Sequence, residues 1–276
     1  MIVLRTLLEN QLSHNRALTA EHGLSFLVET EGGKILFDCS AGKAARHNAG
    51  KMNVSLKDAD YVVLSHSHYD HAGGYPDMVE HGVRAPLVTG PKFFEEKYAY
   101  DGGKYAYLGC GFGEDYLEKN KITHKVCEGS MTLFSGCHVV GGFVRKYEFE
   151  KIPARFVKET AAGMATDDFA DEVCLVIESE KGLVIVAGCS HPGILNMIET
   201  VRTRFDRPVC AVFGGSHLVE ADEERLSATM EILQDMGIGM AGFNHCTGDA
   251  AQKRMSELEN DMCYSHLKAG DCIFLP

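Results

Sequence analysis

Three imidazoles and one carboxylate fall within the stretch Ser65-His66-Ser67-His68-Tyr69-Asp70-His71-Ala72-Gly73-Gly74. The run before it, Asp60-Tyr61-Val62-Val63-Leu64, is short, apolar and β-branched, and reads as a buried strand. In an extended continuation His66 and His68, two residues apart, point to the same side. Asp70 and His71 follow where the chain must turn, and Gly73-Gly74 leads into a helical pattern. Two imidazoles on one side, with a carboxylate and a third imidazole just beyond, suit one or two divalent ions. A polar surface loop that happens to hold three histidines is the plainer alternative, and the H-x-H-x-D-H spacing after an apolar strand speaks against it.

The elements that must position this run read as α/β. Strands are expected at 2–7, 24–29, 34–38 and 86–89, with helices at 41–51 and 75–82, and 55–60 leads into the central strand. Further strands are expected at about 121–126, 131–135 and 138–144. The second half reads as strands 173–179 and 183–187, helix 192–203, strand 208–213, helix 222–236, strand 239–243, helix 248–259 and a last strand at 271–275. Mixed strands followed by strand–helix units suggest two sheets packed face to face with helices outside. No linker, repeat or low-complexity stretch divides residues 1–276, so one domain is expected.

Residues 91–130 interleave Phe93, Phe94, Tyr98, Tyr100, Tyr105, Tyr107 and Phe112 with glycines. They read as an irregular insertion, either a lid that stacks on a flat ring or a surface excursion anchored by its own aromatics. Residues 145–172 read as polar and irregular, with the acidic run Asp167-Asp168-Phe169-Ala170-Asp171-Glu172 as a solvated face. His124 and His138 sit within strand patterns and read as structural.

Composition narrows the partners. The formal charge of −12 argues against a nucleic-acid backbone as ligand, whereas a small anionic substrate can still be held by metal and local donors. There is no 18-residue apolar run, and the N-terminus lacks signal-peptide blocks, so no membrane partner is expected. Ten cysteines with no C-x-x-C pair point to reduced thiols and a cytoplasmic protein. Oligomeric state is not legible.

The H-x-H-x-D-H run after its strand resembles the signature of the metallo-β-lactamase superfamily. Glu21-His22-Gly23-Leu24-Ser25, Ile35-Leu36-Phe37-Asp38, Gly188-Cys189-Ser190-His191-Pro192-Gly193-Ile194, Gly214-Gly215-Ser216-His217-Leu218 and His245-Cys246-Thr247-Gly248 extend the likeness over nearly the whole chain. Together they are similar to the branch labelled dihydropterin-6-methyl-ribofuranosyl-aminobenzene 5'-phosphate synthase. The resemblance implies a four-layer αβ/βα sandwich with metals at one edge. It also implies a late histidine ligand, here His245.

The chain departs twice from the general pattern. Where a bridging carboxylate is usual, after Gly188, stands Cys189, and no histidine occurs in a G-H-T-like turn within 141–172. His191 is the candidate to compensate, next to Pro192 at an expected helix start, where backbone N–H groups could hold a ligand phosphate. Cys189 is either a small buried residue or a soft thiolate ligand that favours zinc or iron. Unequal sites follow, the tighter at Asp70, His71 and His245.

The expected metal ligands are therefore His66, His68, Asp70, His71, His191 and His245. Asp70 and His217 are the catalytic candidates, and His22, Ser190 and Arg155 the substrate contacts. The implied cofactor is one or two divalent ions, zinc first and iron or manganese as alternatives. The implied activity is hydrolysis of a phosphorylated or pterin-like small molecule through a metal-bound hydroxide. An iron-containing redox enzyme of the same fold, or a non-catalytic metal- or ligand-binding sensor, are the alternatives.

Overall fold

Strands of Val, Ile, Leu and Phe, apolar on both faces, build two sheets that are each buried on both sides. The computed structural model describes residues 1–258 and 261–276. One seven-stranded sheet runs in the order Cys272–Leu275, Ile2–Leu8, Ser25–Glu29, Lys34–Phe37, Tyr61–Val63, Leu87–Thr89, His124–Val126. The other runs Cys263–Tyr264, Met240–Asn244, Val209–Gly215, Gly182–Val186, Val173–Ser179, Cys137–Gly141, Ser130–Phe134.

Side-chain alternation assigns each strand two jobs. Phe26, Val28, Ile35, Phe37 and Val63 of the first sheet meet Val139, Leu175, Val184, Val186 and Phe213 of the second in a shared core. The intervening Leu27, Leu36 and Val62 face outward and are covered by Ala45, Ala49, Tyr75, Met78 and Leu117 from helices. On the far side Val176, Ile185, Val212 and Phe243 pack under Leu195, Ile198, Leu226, Met230 and Met255 of the helices Ile194–Phe205, Glu223–Asp235 and Asp249–Ser256. The result is a helix–sheet–sheet–helix sandwich, the four-layer α/β arrangement expected. The expected helix 248–259 ends at Ser256, and position 259 lies outside the described residues. No helix among the described residues is long and apolar enough to cross a membrane.

Three expectations are corrected here. The 91–130 stretch is not irregular: Lys97–Asp101 and Lys104–Tyr107 pair as a hairpin around Gly102-Gly103, and Glu114–Lys119 is helical. Nor is 145–172 irregular, for Phe156–Thr160 and Gly163–Thr166 form a second hairpin. The hairpins join through Phe156↔Ala99, Val157↔Tyr98 and Lys158↔Lys97 into a four-stranded sheet. The acidic run is likewise mostly not a solvated face, since Asp167, Asp171 and Glu172 are buried. Lys97, also buried, lies 2.5 Å from Asp171 and 3.1 Å from Asp167. Its charge is neutralised by the run, which a local reading of charge cannot foresee. His124 and His138 are structural, bonded to Thr89 and to Thr132 and Glu178.

Candidate metal centre and cleft

The site forms where the strands Lys34–Phe37, Tyr61–Val63, Gly182–Val186, Val209–Gly215 and Met240–Asn244 end. Three of these run parallel in one sheet and two in the other, so their carboxyl ends share one edge. The chain turns sharply there. Asp38, Ser190, His217 and His245 all take positive φ, between 47° and 62°. Non-glycine residues in that region are strained and cluster at functional sites. Gly188 is required by close approach: a Cβ on it would stand 2.1 Å from Ser65 Oγ.

Three histidines are aimed by partners on their Nδ1 atoms. Ser65 Oγ lies 3.0 Å from His66 Nδ1, Asp38 Oδ2 lies 2.6 Å from His71 Nδ1, and Asn10 Oδ1 lies 3.0 Å from His245 Nδ1. This leaves each Nε2 to face inward. His66 Nε2, His68 Nε2 and both ring nitrogens of His191 are buried with no hydrogen-bond partner. Buried polar atoms are nearly always paired, so this cluster of orphans fits a ligand set that a metal ion completes.

The donors fall into three groups, each with its ligand atoms within 4.8 Å of one another: His66, Cys189 and His191; His71, Cys189 and His245; and His22, Asp70 and His245. Cys189 belongs to two of them, 3.1 Å from His71 Nε2, so the thiol stands between the two halves of the site. His68 adjoins the first group, its ring centroid 4.7 Å from that of His66 and 5.0 Å from that of His191. His191 stands in the first group beside His66 and Cys189, its ring stacked on Phe169 at 3.8 Å.

Burial and charge set the protonation. Burial holds His66, His68 and His191 well below the ordinary imidazole range. Burial also opposes a charge on His71, but the Asp38 and Asp70 carboxylates outweigh it and push His71 up to about 9. Burial raises the Cys189 thiol well above its usual range, with Cys246 adding to the effect. Burial opposes ionisation of Asp70, yet His71, His22 and His245 hold it well below the carboxylate range.

The buried loops are held from below. Ser67 N–H donates to Asp171 Oδ2 at 2.9 Å, fixing the backbone between His66 and His68. His191 N–H donates to Glu172 Oε2 at 3.0 Å. Glu150 accepts from Leu195 and Asn196 N–H at 3.0 and 2.8 Å.

A cleft of about 460 Å³ opens above the donors, walled by His22, His68, Asp70, Arg155, Phe156, His191, His217 and His245 among others. Arg155 leans on the Phe156 ring at 4.4 Å and pairs with Glu220 at 2.6 Å. Burial first, then the neighbouring Arg225, His245 and Arg155, drive His217 down to about 3, so its ring is neutral.

Three expectations change. Ser190 does not reach the cleft: it is buried, and its Oγ donates to Gly215 O at 2.7 Å. The N-terminus of the helix after Pro192 is not free for a phosphate, because Glu150 already caps it. None of the seven aromatics named in 91–130 lines the cleft, where that segment contributes Leu108. Phe93, Phe94 and Phe112 instead pack on the first core. The aromatic lining is Tyr69 and Phe156, with Phe169 behind Phe156; the sequence reading missed these along with Asn10, Glu150 and Glu172.

A family model described as the Metallo-beta-lactamase superfamily matches residues 18–148. The chain is 33% identical to the 7,8-dihydropterin-6-methyl-4-(beta-D-ribofuranosyl)-aminobenzene-5'-phosphate synthase of Methanocaldococcus jannaschii, over 99% of this chain and 96% of that protein. It is 23% identical to a ribonuclease Z of Sulfolobus acidocaldarius, over 48% of this chain and 46% of that one. Among solved structures it is similar to Tm1679, described as a metal-dependent hydrolase of the beta-lactamase superfamily. That match has TM-score 0.84 and 24% identity, and covers 100% and 99% of the two chains. On the fold, the strand-end histidines and these matches, the chain belongs to the metallo-beta-lactamase superfamily.

Proposed function

We propose that this protein is a metal-dependent hydrolase of a small phosphorylated or pterin-like molecule. The observation that supports this most is the set of buried, unpartnered imidazole nitrogens converging with Cys189 beneath the cleft. His66, His68, His191 and Cys189 would hold one ion; Asp70, His71, His245 and the same Cys189 the other. Nitrogen donors with one thiolate suit zinc, or iron, better than manganese or magnesium. Divalent ions in such a site supply Lewis acidity and a water acidified toward neutrality.

The chain's own residues do the rest. Asp70 stays ionised and faces the cleft, so it accepts a hydrogen bond from water and orients it. His217, being neutral, serves the substrate by donating its ring N–H; its depressed pKa argues against the role of proton donor expected from sequence. Arg155 offers a guanidinium at the mouth, matched to a phosphate or carboxylate. Phe156 contributes apolar surface to the floor of the cleft. The charge of −12 favours a small anion held by these local donors over a nucleic acid.

The full-length relationship to a pterin-linked synthase favours a second reading, in which the same cleft joins two substrates instead of admitting water. Incubating metal-loaded protein with phosphodiesters and pterin phosphates separates them. Metal-dependent turnover of any one, abolished by a chelator and restored by metal, supports the hydrolase. No turnover of any at full metal occupancy refutes it.

A further inference from the structure

We propose that His22, an exposed histidine at the cleft rim, is a direct metal ligand, capping the ion position that Asp70 and His245 share. The inference rests on the metal-centre reading above and adds a donor to it.

The backbone around His22 is built onto that position. Gly23, with φ of 144°, packs so closely that a Cβ there would stand 2.6 Å from Asp70 O. Only glycine tolerates both that angle and that approach. Leu24 N–H donates to the same carbonyl at 3.1 Å, and Gly23 N–H donates to Asn10 Oδ1 at 3.3 Å. Asn10 Oδ1 also lies at His245 Nδ1. One side chain therefore ties the His22 loop to the His245 ring.

The donor atoms are spaced as neighbours in a coordination sphere. His22 Nε2 lies 3.1 Å from Asp70 Oδ2, and His245 Nε2 lies 3.2 Å from the same oxygen. Metal–ligand bonds of about 2.1 Å at tetrahedral to octahedral angles place donors roughly 2.9–3.4 Å apart. The His22 and His245 rings stand 4.9 Å apart, tilted by 40°, so both Nε2 atoms approach Asp70 without clash. The His22 side chain is 59% exposed, yet its Nε2 end is turned to the buried carboxylate.

Chemistry gives this ligand a purpose. A bridging carboxylate offers two oxygens, one to each ion, whereas Cys189 offers a single sulfur to both. Asp70, His71, His245 and Cys189 would give the ion at Asp70 four donors, and His22 would add a further neutral nitrogen from the rim. A ligand at the rim also leaves that ion more exposed than the one at His66 and His191.

The competing role is a hydrogen bond that merely steadies Asp70. His22→Gln keeps an amide donor within reach of Asp70 but gives up the imidazole nitrogen. Cobalt titration of the unmodified protein, His22→Gln and His22→Ala, followed by visible d–d absorption and a competing chelator, distinguishes the roles. Ligation predicts that both variants weaken one equivalent of cobalt by at least about tenfold and shift its d–d bands, while the other equivalent is unchanged. Unchanged affinities and bands in His22→Gln overturn the ligand role. Failure of the unmodified protein to bind cobalt at all overturns instead the metal centre on which it rests.

Discussion

Replacing Asp38 by asparagine changes little volume and removes one charge at a hub. Asp38 Oδ1 accepts Ser65 N–H at 2.7 Å, while Oδ2 accepts Ser65 Oγ–H at 2.8 Å and lies 2.6 Å from His71 Nδ1. Its φ is 58°, a conformation asparagine adopts readily, so the backbone is kept. In Asp38→Asn the amide oxygen serves Ser65 N–H, and the amide nitrogen then faces His71 Nδ1 donor to donor. His71 must move its proton to Nε2, the atom 3.1 Å from Cys189 Sγ and 3.2 Å from His245 Nε2. A protonated Nε2 cannot ligate. A lost hydrogen bond to a charged group is worth about 1.5–3 kcal/mol. The rise of His71 from 6.5 to about 9, the net of burial that lowers it and of Asp38 and Asp70 that raise it, is of the same order, roughly 3 kcal/mol. The two figures agree, and they convert to a 10–100-fold loss of metal affinity, the range typical of a partner behind a ligand. Competition with a chromophoric chelator measures it, and ring-nitrogen NMR reads the tautomer. A folded Asp38→Asn protein that binds metal within about threefold of the original refutes this chain of reasoning.

Other consequences are as direct. With His71 at about 9 and the Cys189 thiol raised, both carry protons at neutral pH and must shed them to ligate. Metal affinity should therefore rise with pH through about 9 and beyond, with about two protons released per ion held by this pair; calorimetry in buffers of different ionisation enthalpy counts them, and none released contradicts the assignment. Lys97→Ala leaves Asp167 and Asp171 buried without their cation, and should cost about 3–5 kcal/mol in urea unfolding; a loss under about 1 kcal/mol would mean the pair is solvated. Cys189→Asp restores two oxygen donors, so metal titration should show the weaker equivalent tightening and preference moving toward manganese. Two equal, tight equivalents in the unmodified protein would refute the unequal-site expectation.

The chain displayed its chemistry where ligands are local and hid it where they are distant. The candidate ligands His66, His68, Asp70 and His71 share one turn after one strand, so spacing alone pointed to them; His245 came from resemblance, and His191 from its place two residues after Cys189. Their supports come from far away. Asn10 reaches His245 across 235 positions, Asp171 reaches Ser67 across 104, and Glu150 reaches Leu195 across 45. No periodicity records such contacts. The acidic run was misjudged for the same reason, since its cation, Lys97, lies some 70 residues earlier. The Tyr98–Tyr107 hairpin was legible in principle: Tyr-Ala-Tyr alternates on both sides of Asp101-Gly102-Gly103-Lys104, a hairpin signal that its glycine content obscured. Both sheets were legible because alternation and apolar runs are local properties.

Hydrolysis is the claim that most needs a direct test. Turnover of a phosphoester or pterin phosphate by the metal-loaded protein in ¹⁸O-labelled water, with products read by mass spectrometry, provides it. Hydrolysis predicts one labelled oxygen in the products per turnover. Product formed with no label would contradict it and give the cleft to a reaction that joins two substrates without consuming water.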